Sequence, residues 1–151
     1  MSFQCIRLRV DDRVARLTLA RPAEMNAVNP EMIEEVIEAL ADVSAMDDVK
    51  ALVVSGEGRA FCAGADLTYM EGILKDREAL SRYLGRFNEM LFVLEELPIP
   101  VIGLVHGYAL AGGLEILLAC DMVIAAEDAR IGDQHINFAL IPGGGSTQRL
   151  P

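Results

Sequence analysis

Short apolar strands and amphipathic helices alternate along this chain, and their order keeps returning to two strands followed by a helix. Ile6, Leu8 and Val10 face one way and Arg7 and Arg9 the other; after the polar break Asp11-Asp12-Arg13, the residues Ala15, Leu17 and Leu19 alternate again. A hairpin is predicted there. Asn29-Pro30 opens a helix, with Asn as cap and Pro in the first turn. Met32, Ile33, Val36, Ile37 and Leu40 then recur at helical spacing, and the neighbouring glutamates take the solvated face. A strand over 51–55 leads into a loop of small residues over 61–67. A second helix over 77–96 carries Leu80, Tyr83, Leu84, Phe87, Leu91 and Leu94 and is stopped by Pro98 and Pro100. A strand over 101–105, a short helix near 112–119 and a strand over 122–125 complete the rhythm. One α/β domain over 1–151, built of stacked β-β-α turns, follows from it.

Composition narrows the function. At 151 residues, 52% hydrophobic and 24% charged, the chain can bury one real core. A net charge of −10 argues against a nucleic-acid partner, which needs clustered Lys and Arg. Cys5, Cys62 and Cys120 are odd in number and follow no metal or redox spacing, so they read as reduced thiols in a cytoplasmic protein. With His106 and His135 as the two histidines, no metal site is expected. The N-terminus lacks the apolar block of a secretory signal. The most apolar stretch, 99–126, is interrupted by His106, Glu115 and Asp121, which fits a buried core segment and no membrane span.

Several motifs fail on inspection. The glycines of 107–113 have phosphate-loop spacing, but Gly113 and Leu114 stand where Lys and Ser/Thr belong. Gly143-Gly144-Gly145 has Gln148 at the third glycine position of a dinucleotide fingerprint, and the same stretch is no nucleophile elbow. Cys62 with a histidine would make a nucleophilic pair, yet its apolar neighbours predict a raised thiol pKa.

Two segments remain, Ala60-Phe61-Cys62-Ala63-Gly64-Ala65-Asp66-Leu67 and Gly107-Tyr108-Ala109-Leu110-Ala111-Gly112-Gly113-Leu114-Glu115. Each sets small residues where a backbone must approach a ligand closely. The second enters a helix whose first N–H groups have no helical partner and could stabilise a developing oxyanion. Glu115 follows Gly112 by three residues and so shares its face, placing an acid/base carboxylate beside those donors. Asp66 reads as a helix cap, Asp121 as structural, and His106 as locally hydrogen-bonded.

Over nearly its whole length the sequence resembles the crotonase, or enoyl-CoA hydratase/isomerase, superfamily. The resemblance rests on Arg21-Pro22 with Met25-Asn26-Ala27, FCAGADL, PIPVIGLVHGYALAGGLE, Cys120-Asp121 and IPGGGSTQRLP, in that order. It implies a spiral of β-β-α units that binds an acyl-CoA thioester and stabilises its enolate, with no cofactor beyond the coenzyme A of the substrate. The N–H groups of Ala65 and Gly112 would form the oxyanion hole. Glu115 takes the first of two catalytic glutamate positions. Met25, Asn26, Ala27, Ala63, Gly64, Ala65, Asp66, Leu67 and Gly113 would contact the CoA thioester, with Arg21 and Arg59 as candidates for its phosphates. His135 stands where hydratases carry the second glutamate, with Asp133 a substitute carboxylate nearby. Hydratase, isomerase, hydrolase and decarboxylase chemistry, or acyl-CoA binding alone, all stay open. The family continues past Pro151 into a helical region that covers the acyl pocket and forms trimers or dimers of trimers, so apolar surface is expected where this chain stops.

Overall fold

The computed structural model describes residues 3–151. The hairpin forms as β1 (Ile6–Asp11) and β2 (Val14–Leu19), paired antiparallel. Only part of its expected alternation survives burial. Ile6 is fully buried while Val10 is 46% exposed, because β1 is the outer strand of its sheet and its far end runs out past the core.

Helix α1 (Pro30–Ser44) begins where Asn29 Oδ1 accepts the Met32 N–H at 2.9 Å. It buries Met32, Ile33, Val36, Ala39, Leu40 and Val43. Three strand pairs then follow in sequence. They are β3 (Ala51–Gly56) with β4 (Ala60–Cys62), β5 (Val101–Val105) with β6 (Tyr108–Leu110), and β7 (Met122–Ala125) with β8 (Arg130–Gly132). The first member of each pair joins a five-stranded sheet ordered β1-β2-β3-β5-β7, and the second joins a three-stranded sheet ordered β4-β6-β8. From β2 onward all neighbours in both sheets run parallel.

Helices close each turn of this spiral. After β4 come α2 (Leu67–Ile73), capped by Asp66, and α3 (Arg77–Glu95), capped by Asp76. After β6 comes α4 (Gly112–Leu118), and beyond β8 a 3-10 turn (His135–Phe138) and α5 (Ser146–Arg149). The β-β-α spiral expected from the sequence is therefore the fold. Helix α3 buries Tyr83, Phe87, Met90, Leu91 and Leu94 in the core, whereas Leu80 and Leu84 are half-buried beside a cavity.

The small sheet positions the site. Its strands are parallel, Ala60 beside Tyr108 and, past a one-residue bulge, Cys62 beside Ala109, with Leu110 beside Gly132, so their C-terminal ends lie together. The segments leaving those ends are 63–66, 111–112 and 133–135. In an open parallel sheet that edge is where ligands bind.

Candidate active site

The three segments meet around a cavity of about 330 Å³. Ala65 comes from the first, Gly112 from the second, with Glu115 on the helix α4 that it opens, and His135 from the third. Leu80, Leu84 and Phe87 of α3, Met70 of α2, and Leu140 and Ile141 supply apolar walls.

Ala65 is fixed through its neighbours. Val28 N–H donates to Gly64 O at 2.8 Å and Asp66 N–H donates to Val28 O at 2.9 Å, so Val28 pairs with Ala65 as in a parallel ladder. That pairing turns the N–H of Ala65 itself away from Val28. The Tyr83 hydroxyl adds a third tie, donating to Val28 O at 2.8 Å. Gly112 sits opposite. A Cβ placed on it would lie 3.6 Å from Ala65 N, and one on Gly64 would lie 3.3 Å from Gly112 N. Ala111 before it has φ 49° and ψ −114°, a conformation that costs an L-residue about 1–3 kcal/mol and recurs at functional sites. Neither the Ala65 nor the Gly112 N–H has an acceptor among the described residues. Two unpaired donors thus stand side by side at the cavity wall.

Glu115 is 1% exposed. Its Oε1 accepts the N–H groups of Gly144, at 2.7 Å, and Ser146, at 3.2 Å. Oε2 remains, 3.7 Å from His135 Nε2. The other ring nitrogen, Nδ1, lies 2.6 Å from Asp133 Oδ1, and that contact holds the Asp133 carboxyl below the usual carboxylate range. Asp133, His135 and Glu115 therefore form a line that ends at the cavity.

The other residues singled out by sequence divide into two groups. Asp66 accepts from Thr68 N and Tyr69 N as a cap, and Asp121 accepts Val101 N at 2.7 Å in a structural role. His106 Nε2 contacts Gly58 O at 2.8 Å. Cys62 is fully buried, and burial pushes its thiol up to about 12, which removes it as a nucleophile. Met25, Ala63 and Leu67 flank the Ala65 segment, half-buried or exposed, whereas Ala27 is buried.

Three of these residues also have structural ties of their own. Asn26 is 0% exposed; it donates to Glu57 O and Ala60 O and accepts from Arg21 N, so its side chain ties loops together. Gly113 is glycine because a Cβ there would sit 2.2 Å from Cys62 O, which is helix-on-strand packing. The Arg21 guanidinium donates to Asp66, at 2.9 Å, and to Ala27 O.

The sequence reading missed what holds Glu115. A Cβ on Gly144 would come within 2.6 Å of Glu115 Oε2, so the glycine run is a close-approach surface. Asn88 donates to Gly143 O, and Arg149 donates to Gly144 O, each at 2.7 Å. Cys5, Glu31 and Glu35 also cluster. The Glu35 carboxylate there accepts the N–H groups of Gln4, Cys5 and Ile6, a tether of β1 to α1 that shares no residue with the cavity.

The profile of a family described as enoyl-CoA hydratase/isomerase matches residues 9–151. A Bacillus subtilis protein named "Probable enoyl-CoA hydratase" is 40% identical over 149 residues, which cover 99% of this chain and 57% of that protein. A crotonyl-CoA hydratase of Syntrophomonas wolfei is 37% identical over 153 residues, covering all of this chain and 58% of that protein. The crystal structure of an enoyl-CoA hydratase from Bacillus anthracis superposes with a TM-score of 0.93 at 35% identity, over 98% of this chain and 57% of that one. The chain thus spans a little over half the length of these relatives.

Proposed function

The chain belongs to the enoyl-CoA hydratase/isomerase family, and from that premise we propose that it forms the catalytic core of an enzyme acting on enoyl-CoA thioesters. One observation carries the reading: the free Glu115 Oε2 and His135 Nε2 face the unpaired Ala65 and Gly112 N–H groups at one apolar cavity.

The N–H pair receives the thioester carbonyl oxygen and stabilises the charge that develops on it as the enolate forms; one such donor is worth roughly 3–4 kcal/mol in related sites. In hydration, a water oxygen bonds to C3 of the enoyl group while the C2–C3 π pair moves toward C2 and the carbonyl. One of Glu115 and His135 takes the proton that water loses, and the other supplies a proton to C2. Atoms and charge balance with no oxidant or cofactor. Isomerisation uses the same pair to move one proton between carbons. Met25 and the 63–67 segment are the proposed CoA contacts. The apolar walls suit a hydrocarbon acyl group.

Assembly as a trimer or dimer of trimers is part of the proposal. It is supported by the outer strand β7, whose Met122, Val123 and Ile124 are all exposed. A cytoplasmic location is proposed as well; among the described residues no helix is long and apolar enough to cross a membrane.

Product analysis distinguishes the chemistries. The full gene product is incubated separately with crotonyl-CoA and with 3-butenoyl-CoA. Formation of 3-hydroxybutyryl-CoA from the first marks a hydratase, and crotonyl-CoA from the second marks an isomerase. Release of free CoA or CO₂ from acyl-CoA substrates without either product would contradict both.

A further inference from the structure

The hydrogen on the His135 ring can be placed from its contacts. Asp133 Oδ1 accepts the backbone N–H of His135 at 3.0 Å and lies 2.6 Å from ring Nδ1. A backbone N–H can only donate, so this oxygen is acting as an acceptor. A bare Nδ1 at 2.6 Å would set a second lone pair against it, which no hydrogen bond permits. The depressed Asp133 carboxyl is consistent with an ionised acceptor. Nδ1 therefore carries the hydrogen, and in the neutral ring Nε2 is bare.

Nε2 is the nitrogen that faces Glu115. At 3.7 Å from Oε2 it is beyond direct hydrogen-bond reach, so the two atoms confront the cavity as separate proton-handling groups. Oε1 of Glu115 is anchored by Gly144 and Ser146 in the way that Nδ1 of His135 is anchored by Asp133. Each member of the pair thus has one atom fixed and one atom free. Asp133 itself lines no part of the cavity.

We propose that Asp133 is the positioning residue of His135. It holds the ring as the Nδ1–H tautomer with Nε2 turned to Glu115, and so readies a histidine as the second proton-handling group at the cavity. Asp133 acts through the ring and does not touch substrate. The use of Nε2 in turnover rests on the enoyl-CoA reading; the tautomer does not.

The test labels histidine with ¹⁵N in the full gene product and follows both ring nitrogens of His135 to the alkaline limit. Loss of the signal in His135→Gln assigns it apart from His106. The expected result is a protonated Nδ1 and a bare Nε2. In Asp133→Asn, which still accepts the backbone N–H, the Nε2–H tautomer should gain population. There kcat should fall by at least about 10-fold, the lower bound for losing the partner that orients a metal-bound histidine, and by less than the roughly 10⁴-fold loss when a triad's orienting Asp becomes Asn, with KM within about threefold of wild type. An Nε2–H ring in the wild type, or a tautomer and kcat unchanged in Asp133→Asn, overturns the proposal. A protonated Nδ1 in a protein that converts no enoyl-CoA would leave the positioning role standing and defeat the proposed function.

Discussion

Burying a polar side chain without hydrogen bonds costs roughly 2–7 kcal/mol, and Glu115 avoids that cost through two backbone donors from a segment about thirty residues further on. Gly144 must be glycine for this to happen, because a Cβ there would meet Phe87 at 2.5 Å and Glu115 Oε2 at 2.6 Å. Gly144→Ala should therefore lose about 1–3 kcal/mol of stability in urea titration, the usual cost of overpacking, and most of its turnover; wild-type behaviour in both would refute this packing. Ser146 offers a contrast. Its N–H holds Glu115, but its hydroxyl is buried with no partner among the described residues. Ser146→Ala should keep activity and hold or gain stability by up to about 1 kcal/mol, and lost activity would show the hydroxyl to be part of the machinery. Gly112 and Glu115 stood out in the sequence because small residues beside an acid are conspicuous, whereas Ala65 was named only through the family resemblance. Gly113 carries the same small-residue signature for a different reason, because its backbone lies against Cys62 O. Gly144 gave no local sign, because its constraint comes from a distant side chain.

Long elements were readable and short ones were not. Helix α3 and strands β2, β3, β5 and β7 were read to within a residue or so of their observed ends, and α1 from its cap to Leu40, four residues before it ends. Strands β6 and β8 span three residues each, too few to alternate visibly, yet they carry the site segments at their ends. The clamp from α3 onto the glycine run was also hidden, being purely tertiary. Arg149 bonds Glu95 through Nε at 2.8 Å and a second nitrogen at 2.6 Å, lies 5.4 Å from the Phe92 ring centre, and donates to Gly144 O. Arg149→Ala should weaken amide-exchange protection at Gly144 and Ser146 more than elsewhere; unchanged protection there would contradict the clamp. The pair also predicts a pH dependence. The Arg149 hydrogen bond holds the Glu95 carboxyl below its ordinary 4.5. Its contribution is then full above pH 4.5 and lost as pH falls through the lowered value. The stability gap between wild type and Arg149→Ala should narrow over that acid range, and a gap that stays constant or widens would be inconsistent with it.

One core joins both sheets and the helices, and it contains or contacts all three thiols. Burial pushes Cys5 up to about 11 and Cys62 and Cys120 up to about 12, from 9.0. Unfolded chains would ionise these thiols near 9.0 while the folded protein keeps them protonated. Stability from this source is complete below pH 9.0 and declines as pH rises toward the raised values. The urea midpoint should fall over that alkaline range, and less steeply in a variant with all three cysteines changed to alanine; equal slopes would argue against buried thiols. At the same scale, the spiral delivers the chemistry by bringing the ends of three parallel strands to one edge. The central claim is that the carboxylate at that edge moves the proton. It is tested most directly by crotonyl-CoA hydration in the full gene product, comparing wild type with Glu115→Gln and measuring binding alongside. The account predicts wild-type turnover, with Glu115→Gln binding crotonyl-CoA nearly as well and losing about 10²- to 10⁴-fold in kcat. Saturable binding with no turnover by the wild type, or a Glu115→Gln variant as fast as the wild type, would contradict it.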